Sequence, residues 1–155
     1  MSLVRMDHIS VVVDDLSAAI AFFTELGLQA GDRMPISGPW VDRINALDNI
    51  HVEIVMMRTP DGHGQLELTK FTSPALVPPQ PHPAPPNVLG LRSVMFEVND
   101  IADTIARLRK HGGELIGEVV DYKDIYRLCY LRGPAGIIVS LAQDLTKSAP
   151  SAPAS

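Results

Sequence analysis

From His8 to Val11 polar and apolar residues alternate, Val12 and Val13 extend the run, and the rhythm then becomes helical. Ile9, Val11 and Val13 fall on one face of a strand and His8 and Ser10 on the other, because strand side chains alternate with period two. Leu16, Ala19, Ile20, Phe23 and Leu26 then form the i, i+3, i+4, i+7 stripe of an amphipathic helix. Asp14 and Asp15 are available as N-terminal caps, and Gly27 as a left-handed stop.

The same pattern returns, without a gap, 85 residues later. Leu91 to Gly112 repeats Met6 to Gly27: Ser93 takes the place of His8, Asp100 of Asp15, Ile105 of Ile20, Leu108 of Phe23 and Gly112 of Gly27. Val94, Phe96 and Val98 match the apolar strand face, and Asn99 or Asp100 caps the second helix. A long internal repeat of this kind means that one module is used twice.

Between the copies the pattern predicts a strand over Leu28–Ile36 and a short helix within Ser37–Leu47, with Ser37 as its cap and Pro39 near its start. Strands follow over His51–Met57 and Gln65–Phe71, joined by the turn-forming Arg58–Gly64. In the last strand Gln65, Glu67 and Thr69 share a face. Thr72 to Asn87 holds seven of the thirteen prolines, which rules out helix or inner strand. It reads as an extended connector, with a lid over the site as the alternative.

The second copy continues with strands at Glu114–Asp121, Ile125–Leu131 and Ile137–Ala142. Its turn, Arg132 to Gly136, matches Arg58 to Gly62, and with one deletion Glu67 falls on Ser140. Residues 1–71 thus form the first module, 72–90 the linker and 91–145 the second module, and 146–155 read as a disordered polar tail.

Composition narrows the function classes. A net charge of −5 and a pI near 5.4 argue against nucleic acid or an anionic membrane as partner. No stretch approaches a membrane span of roughly 20 apolar residues, and the N-terminus lacks a basic-then-apolar signal. A single cysteine, Cys129, excludes an internal disulfide and fits a reducing cytoplasm.

Two βαβββ modules with DHISVVVDDLSAAIAFF at the start, LELTKF in the fourth strand and a closing GPAGIIVSLAQ resemble the vicinal-oxygen-chelate superfamily. That superfamily includes glyoxalases, bleomycin-resistance proteins and extradiol dioxygenases. The resemblance covers about Met6 to Gln143. It implies an α+β fold: two tandem βαβββ modules, a curved, cup-like mixed sheet and helices outside. It also implies a ligand in the first and last strand of each module. The matching positions are His8, Glu67, Ser93 and Ser140.

An imidazole and a carboxylate suit a divalent ion such as zinc, nickel, manganese or iron. Serines stand at the other two positions, so the expectation is weak metal binding or none. His51, His63, His82 and His111 show no ligand spacing to one another.

Two functional readings follow from the resemblance. In one, a glyoxalase-like lyase or isomerase acts next to a carbonyl, on a thiol conjugate for example, with Glu67 as base and His8 binding metal or polarising the carbonyl. In the other, a metal-free protein binds or sequesters a small molecule. A ring-cleaving dioxygenase ranks below both, because its second histidine is missing. Trp40 and Arg43, three apart in a helical turn, suggest an anionic ligand with an apolar part. Ser93, Tyr126 and Ser140 complete the candidate ligand contacts, and Glu53 and Arg127 occupy matching positions from which they would pair with each other. Modules of this type pair within or between chains, and a homodimer is expected.

Overall fold

The computed structural model describes residues 3–147. The chain divides into two compact units, residues 1–79 and 80–155, with the division inside the proline-rich stretch. Most of the predicted tail lies outside the described residues.

In the first unit, strand β1 (Ile9–Val12) leads into helix α1 (Leu16–Leu26). Short strands β2 (Gln29–Ala30) and β3 (Met34–Ser37) follow, then helix α2 (Pro39–Asn45) and the long strands β4 (His51–Arg58) and β5 (Gln65–Ser73). The expected second strand is therefore realised as two pieces. The sheet runs β1-β5-β4-β2, with β3 also on β4, and β1 lies parallel to β5.

The alternation read from the sequence divides this sheet into two faces. Val11 and Val13 of the first strand segment, Val55 and Met57 of β4, and Leu66 and Leu68 of β5 are buried, as are Leu16, Ala19, Phe22 and Phe23 of α1. Phe22, absent from the expected stripe, is fully buried and meets Phe23 edge-on, with ring centroids 5.2 Å apart; Ile20 and Leu26 are only half-buried. The apolar stripe is thus rotated toward Phe22, since one buried phenylalanine stabilises by roughly 1.5–3 kcal/mol and the helix turns to accommodate both rings. Asp15 caps α1 by accepting from the Ala18 amide at 2.9 Å, and Gly27 ends it at φ +121°.

The second unit repeats the plan with β6 (Val94–Glu97), α3 (Ile101–Arg109), β7 (Glu114–Tyr122), β8 (Tyr126–Arg132) and β9 (Ile138–Asp144). Its sheet order is β6-β9-β8-β7, with β6 parallel to β9. The mixed sheet expected from the sequence thus takes the form of two sheets, one per module. Asp100 caps α3 through the Asp103 amide. The helix stops at Arg109 with Lys110 as its C-cap, and Gly112, the expected stop, serves the turn beyond it at φ +83°. A single-turn 3-10 segment at Pro134–Gly136 joins β8 to β9.

The pairing registers verify the repeat at the level of single residues. In the first unit Ser10 pairs with Glu67; in the second, Met95 pairs with Ser140. Among the described residues no helix is long and apolar enough to cross a membrane.

Candidate functional site

The face of the first sheet opposite α1 holds a cleft of about 390 Å³. β1 contributes Ser10 and Val12 to it, β5 contributes Glu67, Thr69 and Phe71, and β4 contributes Val52 and Ile54. These positions follow from period-two alternation: the partners of the α1 face necessarily point into the cleft. α2 closes one side with Trp40, Val41, Ile44 and Asn45. That helix lies on the cleft side of the sheet, not on the outer face with α1.

Several contacts fix α2 in place. Its cap is Gly38, with no side-chain hydrogen bond, so Ser37 does not act as expected; Pro39 opens the helix. The Asp42 carboxylate accepts from the Ile50 amide at 2.8 Å and the Asn49 amide at 3.1 Å, tying the helix to the start of β4. Val41, Ile50 and Val52 are buried beneath it, with Ile36, Ile54 and Phe71 packed alongside.

Among the described residues Glu67 is the only ionisable side chain lining the cleft. Its Oε1 accepts from the Ser10 hydroxyl at 2.9 Å and the Thr69 hydroxyl at 3.0 Å. Its Oε2 lies 3.7 Å from His8 Nε2. His8 stands just before β1, and its Nδ1 bonds Asp7 Oδ2 at 2.8 Å. The carboxylate is an acceptor only, so it makes Nδ1 the donor and leaves Nε2 toward Glu67. The Asp7 carboxyl is held below the usual range chiefly by this bond, with Arg5, 2.6 Å away, and Gln65 adding to it.

The other predicted residues fall elsewhere. Arg43 is exposed and does not line the cleft. At 3.6 residues per turn the cleft stripe of α2 is 40, 41, 44 and 45, and position 43 lies well off it. Trp40, at 55% exposure, does line it.

In the second unit Ser93 is half-buried directly before β6. Tyr126 opens β8 at 39% exposure. Ser140 is fully buried and its Oγ has no hydrogen-bond partner among the described residues. Within its own unit Glu53 meets Arg33 at 2.9 Å, and Arg127 clasps Asp121 at 2.7 and 2.9 Å.

These donors can be compared with what the family's metal requires. Bonds of about 2.0–2.2 Å to nitrogen and oxygen can bridge a gap such as that between His8 and Glu67. A catalytic site normally takes three protein ligands. Among the described residues no group of three or more His, Cys, Asp or Glu side chains is placed to hold an ion. Ser93 and Ser140 offer only neutral hydroxyls, so the donor set does not fit the family's metal.

Asp7, Ser10, Thr69 and the cleft walls other than Trp40 were missing from the sequence-based candidates. Ser10 and Thr69 carried a usable signal, since both share a strand face with predicted site residues.

The fold is that of a vicinal-oxygen-chelate protein. The chain belongs to the glyoxalase/bleomycin resistance protein/dioxygenase superfamily, which it matches over residues 5–141. A glyoxalase-family protein from Bacillus cereus is 48% identical, with a TM-score of 0.88 over 94% of this chain and 97% of that one. A glyoxalase-family protein from Enterococcus faecalis is 21% identical, with a TM-score of 0.59 over 92% and 99%. An antibiotic-binding protein from a Streptomyces species is 19% identical, with a TM-score of 0.58 over 93% and 98%; at these last two identities the likeness is one of fold. A search of curated proteins returns no match.

Proposed function

We propose that the first module's cleft binds a small, largely apolar organic molecule and that binding, rather than metal-assisted chemistry, is its function. The observation that carries this reading is the lining: an apolar hollow with a single carboxylate, Glu67, held by two hydroxyls. Such a concave, apolar site with a few placed polar groups is the usual form of a small-molecule pocket. The anionic ligand expected from Arg43 loses its support, because that guanidinium does not face the cleft.

The metal belongs to the same proposal. With two donors in place of three, the protein is expected to hold clearly less than one first-row ion per chain. Elemental analysis of wild type beside His8→Ala and Glu67→Gln tests this. Stoichiometric metal in wild type, lost in both variants, would contradict it and restore a Lewis-acid enzyme.

One observation favours the enzymatic reading as second. Asp7 holds the His8 ring through Nδ1, and His8 Nε2 lies 3.7 Å from Glu67, which gathers an imidazole and a carboxylate for proton transfer next to a carbonyl with Glu67 as base. The enolate so formed needs donors for its oxygen. The hydroxyls of Ser10 and Thr69 are spent on Glu67 itself, which is why binding is placed first. Exchange of α-protons for deuterium in a panel of ketones and thioester conjugates, abolished by Glu67→Gln, would reverse the order.

A homodimer and a reducing, cytoplasmic setting complete the proposal. They rest on the two-module plan and the single cysteine. Light scattering that gives the monomer mass across a wide concentration range would refute the dimer.

A further inference from the structure

We infer that the ligand of this cleft is an organic cation: an apolar body carrying a protonated amine that pairs with Glu67. The inference rests on the cleft reading above and names the class of molecule the cleft selects.

The first ground is charge. Glu67 is the only ionisable residue among those lining the cleft, and no lysine or arginine joins it there. Of the basic groups nearby, Arg33 pairs with Glu53 and Arg5 with Asp7, and His8 holds Asp7 through Nδ1. Met56 and Thr69, not charged residues, lie beside Glu67 and Ile54 across the β4–β5 ladder. An anionic ligand would therefore meet a carboxylate in an apolar hollow, with the His8 imidazole, 3.7 Å from Oε2, as the one basic group beside it and no lysine or arginine in the lining, which is unfavourable.

The second ground is hydrogen-bond capacity. Oε1 already accepts two hydroxyl protons, from Ser10 and Thr69. Those hydroxyls pin the carboxylate and leave Oε2 as the acceptor that remains open. His8 Nε2, at 3.7 Å, is beyond hydrogen-bond distance of it. An ammonium donor has the charge and the protons to satisfy that oxygen, and a charge-assisted bond is about twice as strong as a neutral one.

The third ground is the aromatic wall. Trp40 and Phe71 both line the cleft, and tryptophan is the strongest aromatic partner for a cation. Trp40 is also the only tryptophan of the chain, so it reports occupancy directly.

The test uses three probes on one skeleton: 4-phenylbutylamine, 4-phenylbutan-1-ol and 4-phenylbutyrate. Each is titrated into the full-length protein at pH 7 while Trp40 fluorescence is followed. The amine is expected to bind at least tenfold more tightly than the alcohol, and the carboxylate more weakly than both. Glu67→Gln is expected to remove the amine's advantage over the alcohol. Circular dichroism and an unchanged thermal midpoint show the variant to be folded. If amine and alcohol bind wild type equally, the cation inference fails while the cleft reading stands. If none of the three perturbs Trp40 at millimolar concentration, the cleft reading fails and the inference with it. An amine advantage that survives Glu67→Gln would overturn the pairing.

Discussion

The β1–β5 pair of the first module and the β6–β9 pair of the second share one register and differ in what they carry. Ser10 beside Glu67 in the first becomes Met95 beside Ser140 in the second, and Thr69 becomes Ala142. The first module surrounds its carboxylate with donors; the second buries a serine hydroxyl that has none among the described residues. The connections differ as well. Between β3 and β4 the first module inserts α2, which makes the cleft wall, whereas β7 runs to β8 through a tight turn. One module plan thus carries a hydroxyl-held carboxylate in one copy and, at the matching strand positions of the other, Met95 and Ser140 with Glu97 and Asp144 engaged by Lys147. Fold and site are separable, as they are wherever one fold hosts several functions.

The strongest test of the shared plan is in the outer cores. Phe23 and Leu108 occupy equivalent places under the two helices, and each is 0% exposed. Phe23→Ala is expected to cost about 3–5 kcal/mol and Leu108→Ala about 2–5 kcal/mol in urea unfolding. A loss in one module alone would break the equivalence.

Alkali should separate the modules. Burial pushes the Cys129 thiol of β8 up from 9.0 to about 11. Between those values the unfolded chain gives up its proton and the folded chain keeps it, so stability falls as pH rises. The full loss is of order 2–3 kcal/mol. Cys129→Ala should flatten that part of the pH profile; an unchanged profile would mean that the thiolate is tolerated where it lies.

The two helix caps should again behave alike. Asp15→Ala and Asp100→Ala each remove a carboxylate that accepts from a first-turn amide, at 2.9 and 3.0 Å. Each is expected to cost about 1 kcal/mol by chemical denaturation. A cost above about 2 kcal/mol at either would point to a role beyond capping.

The smallest effect is the most diagnostic of the difference. Ser140→Ala removes a buried hydroxyl without a partner, so it should be neutral or stabilise by up to about 1 kcal/mol. Destabilisation by more than about 1 kcal/mol would show that the hydroxyl makes a bond after all.

Much of this was legible in the residues. Period-two alternation put Glu67 and Thr69 on one face, and the gap-free repeat aligned Asp15 with Asp100 and Phe23 with Leu108, as the caps and cores confirm. What the pattern could not supply was tertiary. Phe22 displaced Ile20 from the buried stripe because two rings pack edge to face, a preference no periodicity encodes. Arg43 looked like a site residue because it lies three from Trp40. The rotation of α2 is set by Asp42 reaching seven and eight residues ahead to the Asn49 and Ile50 amides, and that rotation turns Arg43 away. Asp7 was overlooked because its role depends on the side chain of its own neighbour, His8.

The central claim is that the first module alone binds the ligand. It is most directly tested by amide chemical-shift changes in the nitrogen-15-labelled chain titrated with 4-phenylbutylamine. The largest changes are expected on Ser10, Trp40, Ile54, Glu67 and Thr69, with Met95, Tyr130 and Ser140 nearly unmoved. Changes centred on β6 and β9, around Ser140, would contradict it.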